Sequence, residues 1–191
     1  SLKLALIGYV AAAVIGVPLG LLLGYYHTFD KLVNPIFEII RPIPPIAWIP
    51  LSVIWLGIGT TAKCFIIFLA AFVPCVINSY TGVKLTNSVL IDVAKTCGAS
   101  RWKIFITVCT PSAMPLAFTG IRVALGNAWS TLVAAEMLSA TAGLGYMIQQ
   151  GRALGRSDII IVGMLTIGVI GAVLTAVLNK LENRVIRWRA K

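Results

Sequence analysis

Charge is scarce in this chain of 191 residues: Asp, Glu, Lys and Arg make up 12%, against about a quarter in an ordinary globular domain. That excludes a soluble domain with a solvated surface. Acids are scarcer still, 6 against 16 Lys plus Arg, leaving a formal net charge of +10. A nucleic-acid binder would need its bases on one face of a soluble domain, whereas these lie between apolar runs, so no nucleic acid is expected as a partner. Cysteine is limited to Cys64, Cys75, Cys97 and Cys109, with no C-x-x-C pair and a single histidine, His27. Neither a metal site nor a redox motif follows, and the thiols read as small hydrophobes. No G-x-x-x-x-G-K-[ST] occurs, so the chain lacks the usual cradle for nucleotide phosphates. With no convergent set of His, Asp or Ser at one depth, no catalytic residue is expected either.

What the chain has in abundance is apolar length. Hydrophobic residues make 59% of it and mean hydropathy is +0.94. The runs are about 16 to 27 residues long, the scale of helices crossing a ~30 Å hydrocarbon layer. Five spans are predicted, at 4–26, 43–58, 64–83, 112–138 and 159–180, each helical because lipid satisfies no free backbone group. The fold class is an all-α integral membrane domain, a single unit over 1–191. The second span contains Pro44, Pro45 and Pro50 and is expected to be kinked or partly buried in protein.

Alternating the connections divides the bases. Lys31, Arg41, Lys84, Lys95, Arg101, Lys103, Lys180, Arg184, Arg187, Arg189 and Lys191 fall on one side, and Lys3, Lys63, Arg152 and Arg156 on the other. The richer side is assigned to the cytoplasm, with the C-terminus and the 86–111 connection. Ser1 is then outside, which fits a chain lacking one N-terminal span. On this topology 27–45 is a cytoplasmic connection, with Leu32, Val33, Ile36, Phe37 and Ile40 spaced as on an amphipathic surface helix. The Gly-rich loop 139–158 is expected outside, dipping partly toward the membrane, and the charged tail reads as a cytoplasmic anchor.

The 86–111 segment is unusually ordered for a connection. "TNS" at 86–88 offers a cap; Val89, Leu90, Val93, Ala94 and Cys97 recur at helical spacing; Gly98 suits a left-handed helix stop. Ser100 caps a second short helix, "RWKIFITVC", before Pro111 opens the next span. A helix–turn–helix across the cytoplasmic face results. A passive linker is the simpler account, but a connection of a few residues would serve that purpose. An apolar stripe ringed by Lys95, Arg101 and Lys103 is better explained as a docking surface for another protein.

The segment "DVAKTCGASRWKIFITVCTP", residues 92–111, resembles the EAA motif of ABC importer permeases, E-A-A-x3-G-x9-I-x-L-P. Asp92, Val93 and Ala94 stand at the E-A-A positions, Gly98 at the glycine, Val108 and Thr110 at the I and L positions, and Pro111 at the proline. "RPIPPIAWIPLSVIWLGIG", "GASRWKIF" and "AEMLSATAGLGYMI" are similar to the nitrate, sulfonate, taurine and bicarbonate branch of that family. The resemblance implies a type I importer transmembrane domain with a coupling helix at about 89–105. It also implies a second, identical permease chain, two ABC ATPase subunits and an external solute-binding protein in a bacterial inner membrane. ATP and Mg would be bound by the ATPase, with no cofactor in this chain. Asp92, Val93, Ala94, Lys95, Gly98, Ala99, Ser100 and Arg101 are the implied ATPase-docking residues. The solute would be a small anion or zwitterion.

Charges inside spans are costly and therefore informative. Arg122 either lines a pathway for an anion, or snorkels or pairs with a neighbour's carbonyls. Glu136, fourteen residues on and so about 21 Å along the helix, belongs to a gate, a docking contact or the interface. Asn127 and Ser130, with Trp129 between them, are further pathway candidates. Gly120, Ala124 and Ala128 recur every four residues, for a seam between permeases or for packing within one chain. Arg152 and Arg156 suit an acidic lobe of a binding protein, or simply a solvated loop. A secondary transporter or channel for a small anion also explains the spans and Arg122, but gives no reason for the ordered 86–111 segment.

Overall fold

The computed structural model describes residues 2–57, 59–139 and 142–185. Position 58, which ends the second expected span, the loop positions 140 and 141, and the tail bearing Arg187, Arg189 and Lys191 lie outside the described residues. Nearly every described residue is helical. The helices are α1 (Leu2–Tyr25), α2 (His27–Ile40), α3 (Ile49–Leu56, preceded by the 3-10 turn Pro45–Trp48), α4 (Thr60–Lys84), α5 (Ser88–Thr96), α6 (Arg101–Ile104), α7 (Thr110–Ser139), α8 (Leu144–Ala153) and α9 (Ser157–Val185). Among the described residues four stretches are each long and apolar enough to cross a membrane: Leu2–Tyr25, Thr60–Lys84, Arg101–Leu138 and Ser157–Glu182.

Small residues hold the bundle together. Gly8, Gly16, Gly20 and Gly24 lie on one stripe of α1, and α4 comes so close there that a methyl group at Gly24 would stand 2.7 Å from Cβ of Val83. Between apolar helices in lipid, this close approach and its van der Waals contact supply the attraction that the hydrophobic effect supplies in water. Gly8 meets Cys64 and Ile67 while Gly24 meets Tyr80 and Val83, so α1 and α4 run parallel. α7 runs antiparallel to α4, with Ala113 against Gly82 and Gly120 against Pro74 and Asn78. Ala124 and Ala128 are buried with Tyr9, Ala12, Ile67, Ala71 and Cys75. The every-fourth-residue stripe on α7 therefore packs within the chain.

The second crossing departs from the sequence expectation. α2 is tied to α4 at two points: Asp30, in its first turn, accepts from Lys84 Nζ (3.1 Å) and Tyr80 Oη (3.1 Å), and the Phe37 ring packs on Phe72, while Leu32, Ile36 and Ile40 stay exposed. α2 climbs beside α4, stops at Arg41, and continues after a bend of 83° as Pro45–Leu56. By length and apolar content the bent pair together makes a broken span or a re-entrant segment, in place of the expected span at 43–58. Pro42, Pro44 and Pro45 break it, because they give no N–H to a helix and their rings clash with the preceding turn, although Arg41 itself is still helical. Arg41 thus lies at mid-depth rather than with the bases at the end of the bundle.

The second helix of the 86–111 segment is also not separate. α6 passes through a wide π turn, Phe105–Cys109, directly into α7. There the Thr110 N–H and hydroxyl both reach the Phe105 carbonyl. Pro111 follows, whose ring would collide with a carbonyl four residues back; the widened turn relieves that conflict without ending the helix.

Candidate functional site

At the end of the bundle where α1 and α4 finish, the chain builds a corner from α5, Gly98 and α6. The Asn87 side chain accepts from the Val89 N–H (2.9 Å) and starts α5. Gly98, at φ +74°, ends it: the Gly98 N–H donates to Lys95 (2.9 Å) and the Ala99 N–H to Ala94 (3.0 Å). This six-to-one, five-to-two closure needs a left-handed residue, hence glycine. Ser100 then accepts from the Lys103 N–H (3.3 Å) and caps α6. Tyr25 Oη, from the end of α1, donates to the Arg101 carbonyl (2.8 Å) and ties the corner to the spans.

The corner is packed on one side and bare on the other. Ile91, Ala94 and Ala99 lie against Leu21, Val83, Ile104 and Phe105. Val89 (62% exposed), Leu90 (53%) and Val93 (55%) face away from the bundle, and α5 buries no residue fully. The five apolar positions expected on one face are thus divided: Ala94 turns in, while Val89, Leu90, Val93 and Cys97 turn out. Trp102 (57%) and Leu85 (70%) extend the bare surface. Asp92 pairs with Lys95 on its rim (2.9 Å). Behind α5 a cleft of about 940 Å³ separates it from the start of α2, edged by Lys95, Arg101 and His27.

The polar residues of α7 have distinct fates. Arg122 is in an ion pair with Glu182 of α9, sixty residues on. Glu136 is 3% exposed and accepts from the Gly145 N–H in the first turn of α8 (3.1 Å). Its carboxylate holds a helix start, where the exposed N–H groups and helix dipole favour a negative charge. Trp129 donates from Nε1 to the Ile167 carbonyl (3.2 Å), clamping α9. Asn127 and Ser130 stay exposed on α7, and Asn127 shares a cavity of about 180 Å³ with Arg41, Trp48 and Pro74. Arg41 lies at the depth of the middle of α4, where charge counting did not place it; the prolines after it were the available signal.

At the opposite end α8 forms a second corner. Gly155, at φ +64°, closes it with Gly155 N–H to Arg152 (3.2 Å) and Arg156 N–H to Gly151 (2.8 Å). Arg152 is exposed, and Arg156 pairs with Asp158 (2.6 Å). α8 tucks between neighbours, Gly145 on Glu136 and Val133 of α7, and Ile148 on Gly163 of α9, so this loop does fold back along the spans. Among the described residues no group of three or more His, Cys, Asp or Glu is placed to hold a metal ion.

Residues 16–189 match the profile of the binding-protein-dependent transport system inner membrane component family. A putative ABC transporter permease protein of Methanocaldococcus jannaschii is 45% identical over 190 residues, covering 99% of this chain and 71% of that protein. The taurine transport system permease protein of Escherichia coli is 39% identical over 191 residues, 100% of this chain and 70% of its own length. A nitrate import permease protein of Leptolyngbya laminosa is 33% identical over 186 residues, 97% and 67% of the two chains. An apolar multi-pass bundle, a glycine-jointed corner with a bare apolar face and this likeness along the whole length agree: the chain belongs to the binding-protein-dependent transport system inner membrane components, as a transmembrane permease subunit of an ABC importer.

Proposed function

We propose that this permease forms the translocation pathway for a small anionic or zwitterionic solute of the nitrate, bicarbonate, taurine or sulfonate type, driven by a separate ATPase docked on the α5–Gly98–α6 corner. The bare face of Val89, Leu90, Val93 and Trp102 is the observation that carries the docking. Apolar side chains left in water at the edge of a protein mark a partner's seat. Asp92, Val93, Lys95, Ser100 and Arg101 form or border that seat, while Ala94, Gly98 and Ala99 shape it from behind. The taurine and nitrate permeases among the relatives support that solute class.

A second copy of the chain completes the pathway as a homodimer, an external binding protein delivers the solute, and the corner and C-terminus face the cytoplasm. ATP and Mg belong to the ATPase, whose closure pushes the corner. α6 is continuous with α7 through the π turn, so motion of the seat passes into a membrane crossing. Nucleotide state then biases which side of the pathway is open, each step requiring the ATPase to bind one conformation better than the other.

The test is uptake into liposomes carrying the permease with its ATPase and binding protein, offered radiolabelled taurine and nitrate in turn. Uptake that requires ATP, and is lost when Gly98→Pro removes ATPase co-purification, is the expected result. ATP-independent flux by the permease alone would show a channel or secondary transporter instead.

A further inference from the structure

We propose that Arg41 and Asn127, which line one cavity beside the break between α2 and Pro45–Leu56, form an oxyanion-binding site at the middle of the membrane. This rests on the import reading above and adds the residues that would recognise the solute. The cavity they share lies beside positions 69–74 of α4, a helix that runs from Thr60 to Lys84, so it sits near the centre of the bundle's length.

An arginine at that depth is costly unless it is paired or meets water. The other arginine at depth, Arg122, is paired with Glu182. Arg41 is in none of the ion pairs or side-chain hydrogen bonds among the described residues, and Glu38, one turn earlier on α2, does not pair with it. Nor does its guanidinium fold back on the end of α2, although Pro42 leaves the Glu38 carbonyl without its helical donor. Irregular backbone at membrane depth is tolerated where it is enclosed by protein or lines a water-filled cavity. The 83° break at 41–44 is such a place.

The chemistry fits an oxyanion. A guanidinium presents a planar fork of donors that matches nitrate, sulfonate or carboxylate oxygens two at a time. Asn127 adds an amide that has no hydrogen-bond partner among the described residues and carries two further donors. Trp48 and Pro74 supply apolar walls that strengthen the charge interaction. A volume of about 180 Å³ is on the order of six waters, enough for an anionic head with part of its hydration shell. Arg41 is thus the charge that selects for anions, and Asn127 orients the bound head.

Two measurements on the complete transporter test this. In the first, liposomes take up taurine and nitrate through the parent, Arg41→Gln and Arg41→Lys permeases, each checked for ATPase co-purification. Arg41→Gln should lower uptake at least about tenfold, with Arg41→Lys recovering part of it and ATPase assembly kept in both. The second needs no knowledge of the solute. Asn127→Cys, in a chain with Cys64, Cys75, Cys97 and Cys109 replaced by alanine, is labelled with anionic and cationic methanethiosulfonate reagents. The anionic-to-cationic rate ratio should fall roughly fivefold or more when Arg41→Gln is added. An unchanged ratio, or parental uptake by Arg41→Gln, overturns the site. A ratio that falls while even the parent imports no anion supports the site and overturns the import reading instead.

Discussion

The two helical corners, at opposite ends of the bundle, are built with the same local chemistry and put to opposite uses. Each ends a short helix on a left-handed glycine, Gly98 or Gly155, with the same pair of closing hydrogen bonds. Each has a serine two residues after that glycine and an exposed ion pair beside it, Asp92 with Lys95 or Arg156 with Asp158. The difference lies in what covers the apolar side chains. α8 is folded between α7 and α9 and buries Gly145 and Gly151, whereas α5 buries no residue fully and leaves Val89, Leu90 and Val93 bare. Capping chemistry decides where a chain turns. The surroundings decide whether the turn is finished within the chain or awaits a partner.

The strongest way to break the comparison is to destroy each joint. Proline is held near φ −65° and cannot occupy the φ of +74° or +64° found at the two glycines. Gly98→Pro is expected to abolish ATPase co-purification and lower uptake by about a hundredfold or more, since the seat itself is dismantled. Gly155→Pro should lower the unfolding temperature of the permease in detergent while the ATPase still co-purifies at the parental level. Loss of the ATPase in both variants would mean that the corners are not specialised as described.

A gentler change keeps the joint and alters only the bare face. Leu90→Ser with Val93→Ser removes apolar surface that the bundle does not bury, so the unfolding midpoint should stay close to the parent's. ATPase affinity should fall by about a hundredfold or more, from loss of about 1.5 to 3 kcal/mol for each of the two well-covered side chains. Titration of ATPase onto the permease in nanodiscs reads both quantities.

These corners also show why part of the molecule was legible in its sequence. Asn87, Gly98 and Ser100 act on groups within a few residues of themselves, so their roles follow from local spacing. Long uninterrupted apolar runs likewise announced α1, α4, α7 and α9. α2 misled because periodicity reports that a helix has two faces but not what each face meets. Of its apolar stripe, Phe37 finds Phe72 on α4 while Leu32, Ile36 and Ile40 stay exposed, and spacing alone does not say which residue meets which surface. Arg41 was displaced with it. The Arg122–Glu182 pair joins residues sixty apart on different helices, and no local pattern records such a meeting.

Glu136 was equally hidden, and it offers the next test on the other corner. Its carboxylate accepts from the Gly145 N–H at the start of α8. Glu136→Ala should destabilise the permease by about 1 to 2 kcal/mol, the range for losing a helix-start acceptor. Glu136→Gln, which keeps a carbonyl oxygen, should recover part of this. Thermal unfolding in detergent measures both, and neither variant should change ATPase affinity, because the damage is confined to the self-packed corner.

The smallest effects sharpen the comparison most, because they remove charge without disturbing shape. Lys95–Asp92 and Arg156–Asp158 are both exposed, and exposed pairs add little to stability because water and salt screen them. Asp92→Asn and Asp158→Asn should therefore unfold at the parental temperature. Their difference should appear only when the ATPase is present. Asp92 borders the bare face of α5, so its neutralisation should change ATPase affinity by a few-fold at low salt and less at high salt. Asp158, at the far end of the bundle, should leave that affinity and its salt dependence as they are. A parental salt dependence in Asp92→Asn would place the ATPase's contact on the apolar side chains alone, with the rim charge outside the seat.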